Sequence, residues 1–232
     1  MKGGAKKTGR RSVSHTRKAY QGIRRMLFHG EIVPGQKIGY RDLAERLGMS
    51  QTPVIQALKW LEFQKIVRHE PNRGYYTEPV SIREVEEIYS LRELIELDLL
   101  GRTMNLLDRA GLELLRETME AHARAARQVY LFERLARDMT FHLTLAELAG
   151  RPIAVETLRN LFDRLYLKYG GSILFSTSME QAATDHKALF DRIEAGDASG
   201  ARKVLCDHIR RVCNHVVEGL QLIKAEKKGS VV

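Results

Sequence analysis

The sequence predicts a mainly α protein: an N-terminal winged helix-turn-helix followed by an antiparallel all-helical bundle of six or seven helices. Three observations predict it. Apolar residues recur at helical spacing along most of the chain, two short β-like runs occur just before residue 80, and positive charge is crowded ahead of that point. Residues 1–80 hold 16 Lys/Arg against 6 Asp/Glu, whereas the remainder holds 22 against 23. The formal charge of +9 therefore resides in the first third. Such asymmetry suits a nucleic-acid-binding head on a neutral body, although charge alone equally allows a basic tail on a solvated domain.

Residues 1–14 are mostly Gly, Lys, Arg and Ser and read as a disordered basic arm. They lack the apolar core and cleavage site of a secretory signal. The head follows over 15–80. Ala19, Tyr20, Ile23, Met26 and Leu27 mark a first helix closed by Gly30, and "VPGQ" is a turn. A second helix starts near Arg41 and buries Leu43, Ala44 and Leu47. In "GMSQTPVIQAL", Gly48 supplies the left-handed residue that ends it, Ser50 caps the next helix, and Pro53 fits that helix's first turn. Val54, Ala57, Leu58 and Leu61 form its inward stripe. "IVRHE" and "YYTEP" flank the turn "PNRG" as a β-hairpin.

Pro79 and a Ser81/Glu84 capping box open the bundle, 81–228. Val85, Ile88, Leu91, Ile95 and Leu99 form the first apolar set, with breaks near Asp108–Gly111, Gly150–Pro152, Gly170–Gly171 and Gly196–Asp197. No apolar run approaches the ~20 residues of a membrane span. Cys206 and Cys213 are seven residues apart on one helix, about 10 Å and too far for a disulfide, so the cytoplasm is the expected compartment.

"IVPGQKI", "RDLAERLGMSQTPVIQALKWLE" and "NRGYYTEPVS" together resemble the winged helix-turn-helix of GntR-type bacterial transcription regulators, over roughly residues 17–80. The rest resembles the all-helical FCD effector domain of that family. The resemblance implies a homodimer that binds a double-stranded DNA operator, commonly as a repressor. It places Arg41, Ser50 and Thr52 at DNA-contact positions; Lys59, Lys65, Arg73 and the arm add charge, and Gln56 and Gly74 complete the expected DNA face. Two departures stand out. Relatives usually carry arginine where this chain has Gln51 and Ile55, and glycine near Lys65. Gln51 suits adenine and Ile55 a thymine methyl, so the half-site is expected to read A·T where relatives read G·C. A cap-only Ser50 and an Ile55 that touches no DNA are the plainer readings.

The main chemical signal lies in the bundle. Asp138 and His142 in "RDMTFHLTL" are four apart and share a helix face with Leu135 and Leu145. His186 and His208 align with later inward stripes. Three imidazoles and a carboxylate form a divalent-metal set, with Zn, Ni and Mn not distinguished. Singly each has a duller explanation, as a hydrogen-bonded pair or a satisfied core histidine. All four, however, sit at positions used by the FCD metal-binding subgroup. The resemblance further implies a small carboxylate effector, with Arg92 either pairing with it or forming a surface ion pair with Glu96. Relatives commonly have Asn after Gly150 where this chain has Arg151–Pro152. His215 is a further candidate, while His122 and His69 read as surface or scaffold residues. Two rival functions remain open: a regulator for which the ion itself is the signal, and a metal-dependent hydrolase. So does a protein-interaction module that has lost DNA binding.

Overall fold

The computed structural model describes residues 5–126, 131–173 and 179–229, and among them the chain forms nine helices and three short strands. Two compact units emerge: Met1–Val80 together with Tyr166–Gly171, and Ser81–Leu165 together with Ser172–Val232.

In the first unit, α1 (Ala5–Phe28) begins ten residues before the expected start, so most of the expected arm is the opening of this helix, and residues 1–4 lie outside the described residues. Lysine, arginine and alanine are good helix formers, and basic composition alone did not justify reading a coil there. α2 (Tyr40–Arg46) ends at Leu47, and Gly48 takes φ +61° to turn the chain. α3 (Gln51–Phe63) follows. Ser50 occupies its N-cap position with extended backbone, but its hydroxyl makes no capping bond, so it caps by backbone geometry alone. Ala19, Ile23, Val54, Ala57, Leu58 and Leu61, each under 1% exposed, lock α1 against α3.

The wing has one more strand than expected. β1 (Lys37–Ile38) pairs antiparallel with β3 (Gly74–Thr77), which also pairs with β2 (Val67–Glu70), giving the order β1-β3-β2. Pro71 and Asn72 (φ 62°) occupy the centre of the wing turn, closed by Arg73 N–H donating to Glu70 O. Buried Thr77 pins the "VPGQ" turn: its hydroxyl donates to Val33 O (2.6 Å) and accepts from Gln36 N–H (2.8 Å).

The second unit contains α4 (Ile82–Leu106), α5 (Arg109–Ala126), α6 (Leu131–Glu147), α8 (Met179–Glu194), α9 (Ala198–Gly229) and most of α7 (Pro152–Ile173). Three of the foreseen helix starts are side-chain caps, whereas Gly170–Gly171 lies inside α7, which runs on to Ile173. Ser81 Oγ accepts from Glu84 N–H at 3.3 Å, Asp108 Oδ1 from Gly111 N–H at 2.7 Å, and Asp197 Oδ1 from Gly200 N–H at 2.9 Å. Pro152 opens α7, where no N–H is needed. One stripe differs from expectation. Leu91 on α4 is 47% exposed, while Arg92 and Glu96 are buried beside Val85, Ile88, Tyr89 and Leu99. The inward face of α4 is partly ionic, which apolar periodicity cannot register.

Candidate functional site

α6 carries Asp138 and His142 one turn apart, α8 carries His186 and α9 His208, and all four are buried. One ligating atom from each lies within 4.8 Å of every other. His186 Nε2 is 3.2 Å from His142 Nε2 and 3.4 Å from His208 Nε2; Asp138 Oδ1 is 3.6 Å from His186 Nε2 and 3.8 Å from His142 Nε2. Donors about 2.1 Å from a tetrahedral ion stand about 3.4 Å apart. The separations in this cluster bracket that spacing.

Outer contacts fix where the protons sit. His142 Nδ1 lies 2.6 Å from Glu96 Oε2, and His208 Nδ1 lies 3.1 Å from Asp185 Oδ2. Carboxylates only accept, so both rings hold a proton on Nδ1 and turn an Nε2 lone pair toward the centre. His186 Nε2 could donate to one of them at most. Three imidazole nitrogens at hydrogen-bond distance, with too few protons between them, would be balanced by a cation at the centre. The donor set therefore fits a divalent metal.

Electrostatics agree. Burial works to raise the carboxyl pKa of Asp138, but His142, His122, His208 and Arg92 outweigh it and hold it down to about 2. Burial, followed by the neighbouring imidazoles and Arg92, pushes His186 well below the ordinary histidine value. A carboxylate and neutral imidazoles are the ligand forms metals take.

Arg92 departs from the surface-pair expectation. It does pair with Glu96, Nε to Oε1 at 2.8 Å, but both side chains are 2% exposed, so the pair is internal and not on the surface. Its guanidinium also lies 4.1 Å from the Phe162 ring centroid and 5.1 Å from that of Tyr89. Glu96 therefore joins Arg92 to His142. His122 is likewise corrected. It is fully buried, with ring centroid 4.4 Å from that of His186 and Nδ1 3.0 Å from His186 Nδ1. A signal for it existed: Leu115, Met119, His122 and Ala126 are spaced four, three and four apart. His215 stays out of the cluster, its Nδ1–H donating to Arg211 O at 2.9 Å.

On the first unit, Arg41, Ser50, Gln51, Thr52, Gln56, Lys59 and Arg73 are exposed, and Ile55 and Gly74 half-buried. Gln51, Thr52, Ile55, Gln56 and Lys59 belong to α3, Arg41 to the start of α2, Arg73 to the wing turn and Gly74 to the first position of β3. Gln56 is partly committed elsewhere, because its Oε1 accepts from Thr16 Oγ1 at 2.6 Å and ties α3 to α1.

Residues 15–76 match the model of the gntR family of bacterial regulatory proteins, and residues 87–211 match the FCD domain. The chain belongs to the GntR family and carries an FCD domain. It is a DNA-binding transcription regulator of that type. The HTH-type transcriptional repressor RspR of Escherichia coli is 22% identical over 201 residues, covering 85% of this chain and 86% of its own. The E. coli regulator McbR is 25% identical over 197 residues, 84% and 89% of the two chains. Solved E. coli McbR/YncC superposes with a TM-score of 0.75 at 21% identity, over 88% of this chain and 97% of that one, and so shares the fold. No helix among the described residues is long and apolar enough to cross a membrane.

One position in this GntR-family head has a backbone geometry that favours glycine. Lys65 takes φ 61° just after α3, where its N–H donates to Glu62 O and Ile66 N–H to Leu61 O, both at 2.9 Å. That is a Schellman ending, which favours glycine at the left-handed position.

Proposed function

We propose that the protein is a homodimeric, cytoplasmic repressor whose operator affinity is set by a small organic acid bound beside a divalent metal in the FCD domain. The observation that carries this reading is the convergence of Asp138 Oδ1 with three imidazole Nε2 atoms in a buried core, two of the rings braced by carboxylates. Asp138, His142, His186 and His208 would hold the ion. When bound, it supplies positive charge and room for an acid's carboxylate. Arg92, turned toward Glu96, acts as the brace of that centre, and an anion that draws the guanidinium away would loosen His142. Leu91 and Leu94, 47% and 69% exposed on the outward face of α4, support a second copy of the chain as partner.

In the head, Gln51 and Ile55 read an A·T-containing half-site while Arg41, Lys59 and Arg73 neutralise phosphates. The test pairs two measurements on full-length protein. Calorimetric titration with Zn2+, Ni2+ and Mn2+ should give one site per chain, lost in Asp138→Ala and His186→Ala. Gel shifts on DNA upstream of the protein's own gene should weaken steeply with salt and respond to small carboxylates only in the metal-loaded form. Carboxylates that act equally after chelation would reject the metal-anchored effector. An ion that alone switches DNA binding would favour the metal-responsive reading.

A further inference from the structure

His122 has the geometry of a working residue. It comes from α5, which supplies none of the four ligands. Its ring is fully buried, and its two nitrogens face different groups: Nδ1 lies 3.0 Å from His186 Nδ1, and Nε2 lies 4.0 Å from Asp138 Oδ1. The second distance is too long for a hydrogen bond, and Nε2 has no hydrogen-bond partner among the described residues. A buried polar nitrogen without a partner is destabilising, so its presence calls for a role.

The proton count defines that role. A bond between two Nδ1 atoms holds one proton. If His186 gives its Nε2 lone pair to the centre, its own proton is on Nδ1, so His186 donates and His122 accepts. A neutral His122 must then carry its single proton on Nε2. The atom left unpartnered is therefore a donor, buried next to the Asp138 carboxylate.

We propose that His122 is a fifth functional residue of this centre, accepting the Nδ1–H of His186 and presenting Nε2–H to a carboxylate oxygen of the bound acid. This rests on the proposed metal-and-acid reading of the site and assigns a residue to each half of it. His122 orients His186 as Glu96 orients His142 and Asp185 orients His208. Unlike those carboxylates, it keeps a free donor after doing so. An anionic ligand gains a neutral N–H beside Asp138, whose own charge would otherwise repel it.

The test uses full-length protein stripped with a chelator and reloaded with Zn2+, with acetate as the probe acid. Long-range 15N–1H NMR of the Zn2+-loaded wild type should show His122 as the Nε2–H tautomer. Two variants separate the two roles. His122→Asn keeps an acceptor near the Nδ1 position, so Zn2+ affinity should stay within about threefold of wild type, whereas His122→Phe should weaken it about 10–100-fold. Both should weaken acetate binding to the Zn2+-loaded protein by about tenfold. A His122 protonated on Nδ1, or coordinated through Nε2, overturns the proposal, as do wild-type Zn2+ and acetate affinities in both variants. Failure of the wild type to bind Zn2+ overturns the metal centre itself, whereas normal Zn2+ uptake with the wrong tautomer overturns only the role of His122.

Discussion

Glu96→Gln removes one charge from a pair sealed inside the bundle, where Arg92 Nε meets Glu96 Oε1 at 2.8 Å and both side chains are 2% exposed. Removing one partner of such a pair costs about 3–5 kcal/mol, because the remaining charge stays buried. The amide introduced by the change keeps one acceptor oxygen, which can serve Arg92 or His142 but not both. The loss should therefore fall at the low end, about 3 kcal/mol. Urea unfolding with chelator present, followed by circular dichroism, measures it. Arg92→Met combined with Glu96→Gln removes the stranded guanidinium and frees the amide oxygen for His142, so the double variant should recover to within about 1 kcal/mol of wild type. The pH dependence has a definite sign. Burial tends to raise the carboxyl pKa of Glu96, but Arg92 and His142 outweigh it and hold it at about 2, below its ordinary 4.5. The unfolded chain binds that proton first, so the pair's contribution is complete above pH 4.5 and is lost as pH falls from there to about 2. The single variant should lack that component of the slope. A loss below about 1 kcal/mol, or a double variant no more stable than the single one, would refute the reasoning.

Other expectations concern the head. Lys65→Gly relieves a left-handed residue that costs an L-amino acid about 1–2 kcal/mol; after the greater unfolded-state freedom of glycine, a net gain of about 0.5–1 kcal/mol should appear as a higher Tm. An unchanged or lower Tm would count against the Schellman ending. Thr77→Val keeps the shape but abolishes the bonds to Val33 O and Gln36 N–H, so it should lose about 1–3 kcal/mol by chemical denaturation. Arg41→Ala should weaken binding to all DNA sequences alike and lower the salt slope by about 1, while Gln51→Ala should relax one base position. Selection of bound oligonucleotides checks both, and a guanine fixed at the Gln51 position would reject the A·T reading.

Local signals carried much of this molecule. The Gly48 turn, the Ser81 capping box and the Asp138/His142 pair are each written within a few consecutive residues, and periodicity placed His186 and His208 inward. What stayed hidden depends on distant partners or on charge in unusual places. β1 is two residues long, too short for an alternating pattern, and exists because Lys37 and Ile38 meet Tyr76 and Tyr75. Glu96 reads as outward, as does Arg92 in one of its two readings, because charged residues normally are. Only the arrival of His142, 46 positions later, gives Glu96 a reason to be inside. His122 sat on a legible stripe, but its significance appears only opposite His186, 64 positions away. The open helix start at Ala5 shows the reverse error, in which composition was read as disorder although the residues favour helix.

Ligands rise from α6, α8 and α9, and the groups that steady them come from α4, α5 and α8. Five helices are thus spokes of one hub, and a tilt in any of them would reach the ion proposed there. In a genetic screen, lesions rescued by extra metal in the growth medium should be scattered along all five spokes, with no single hinge collecting them.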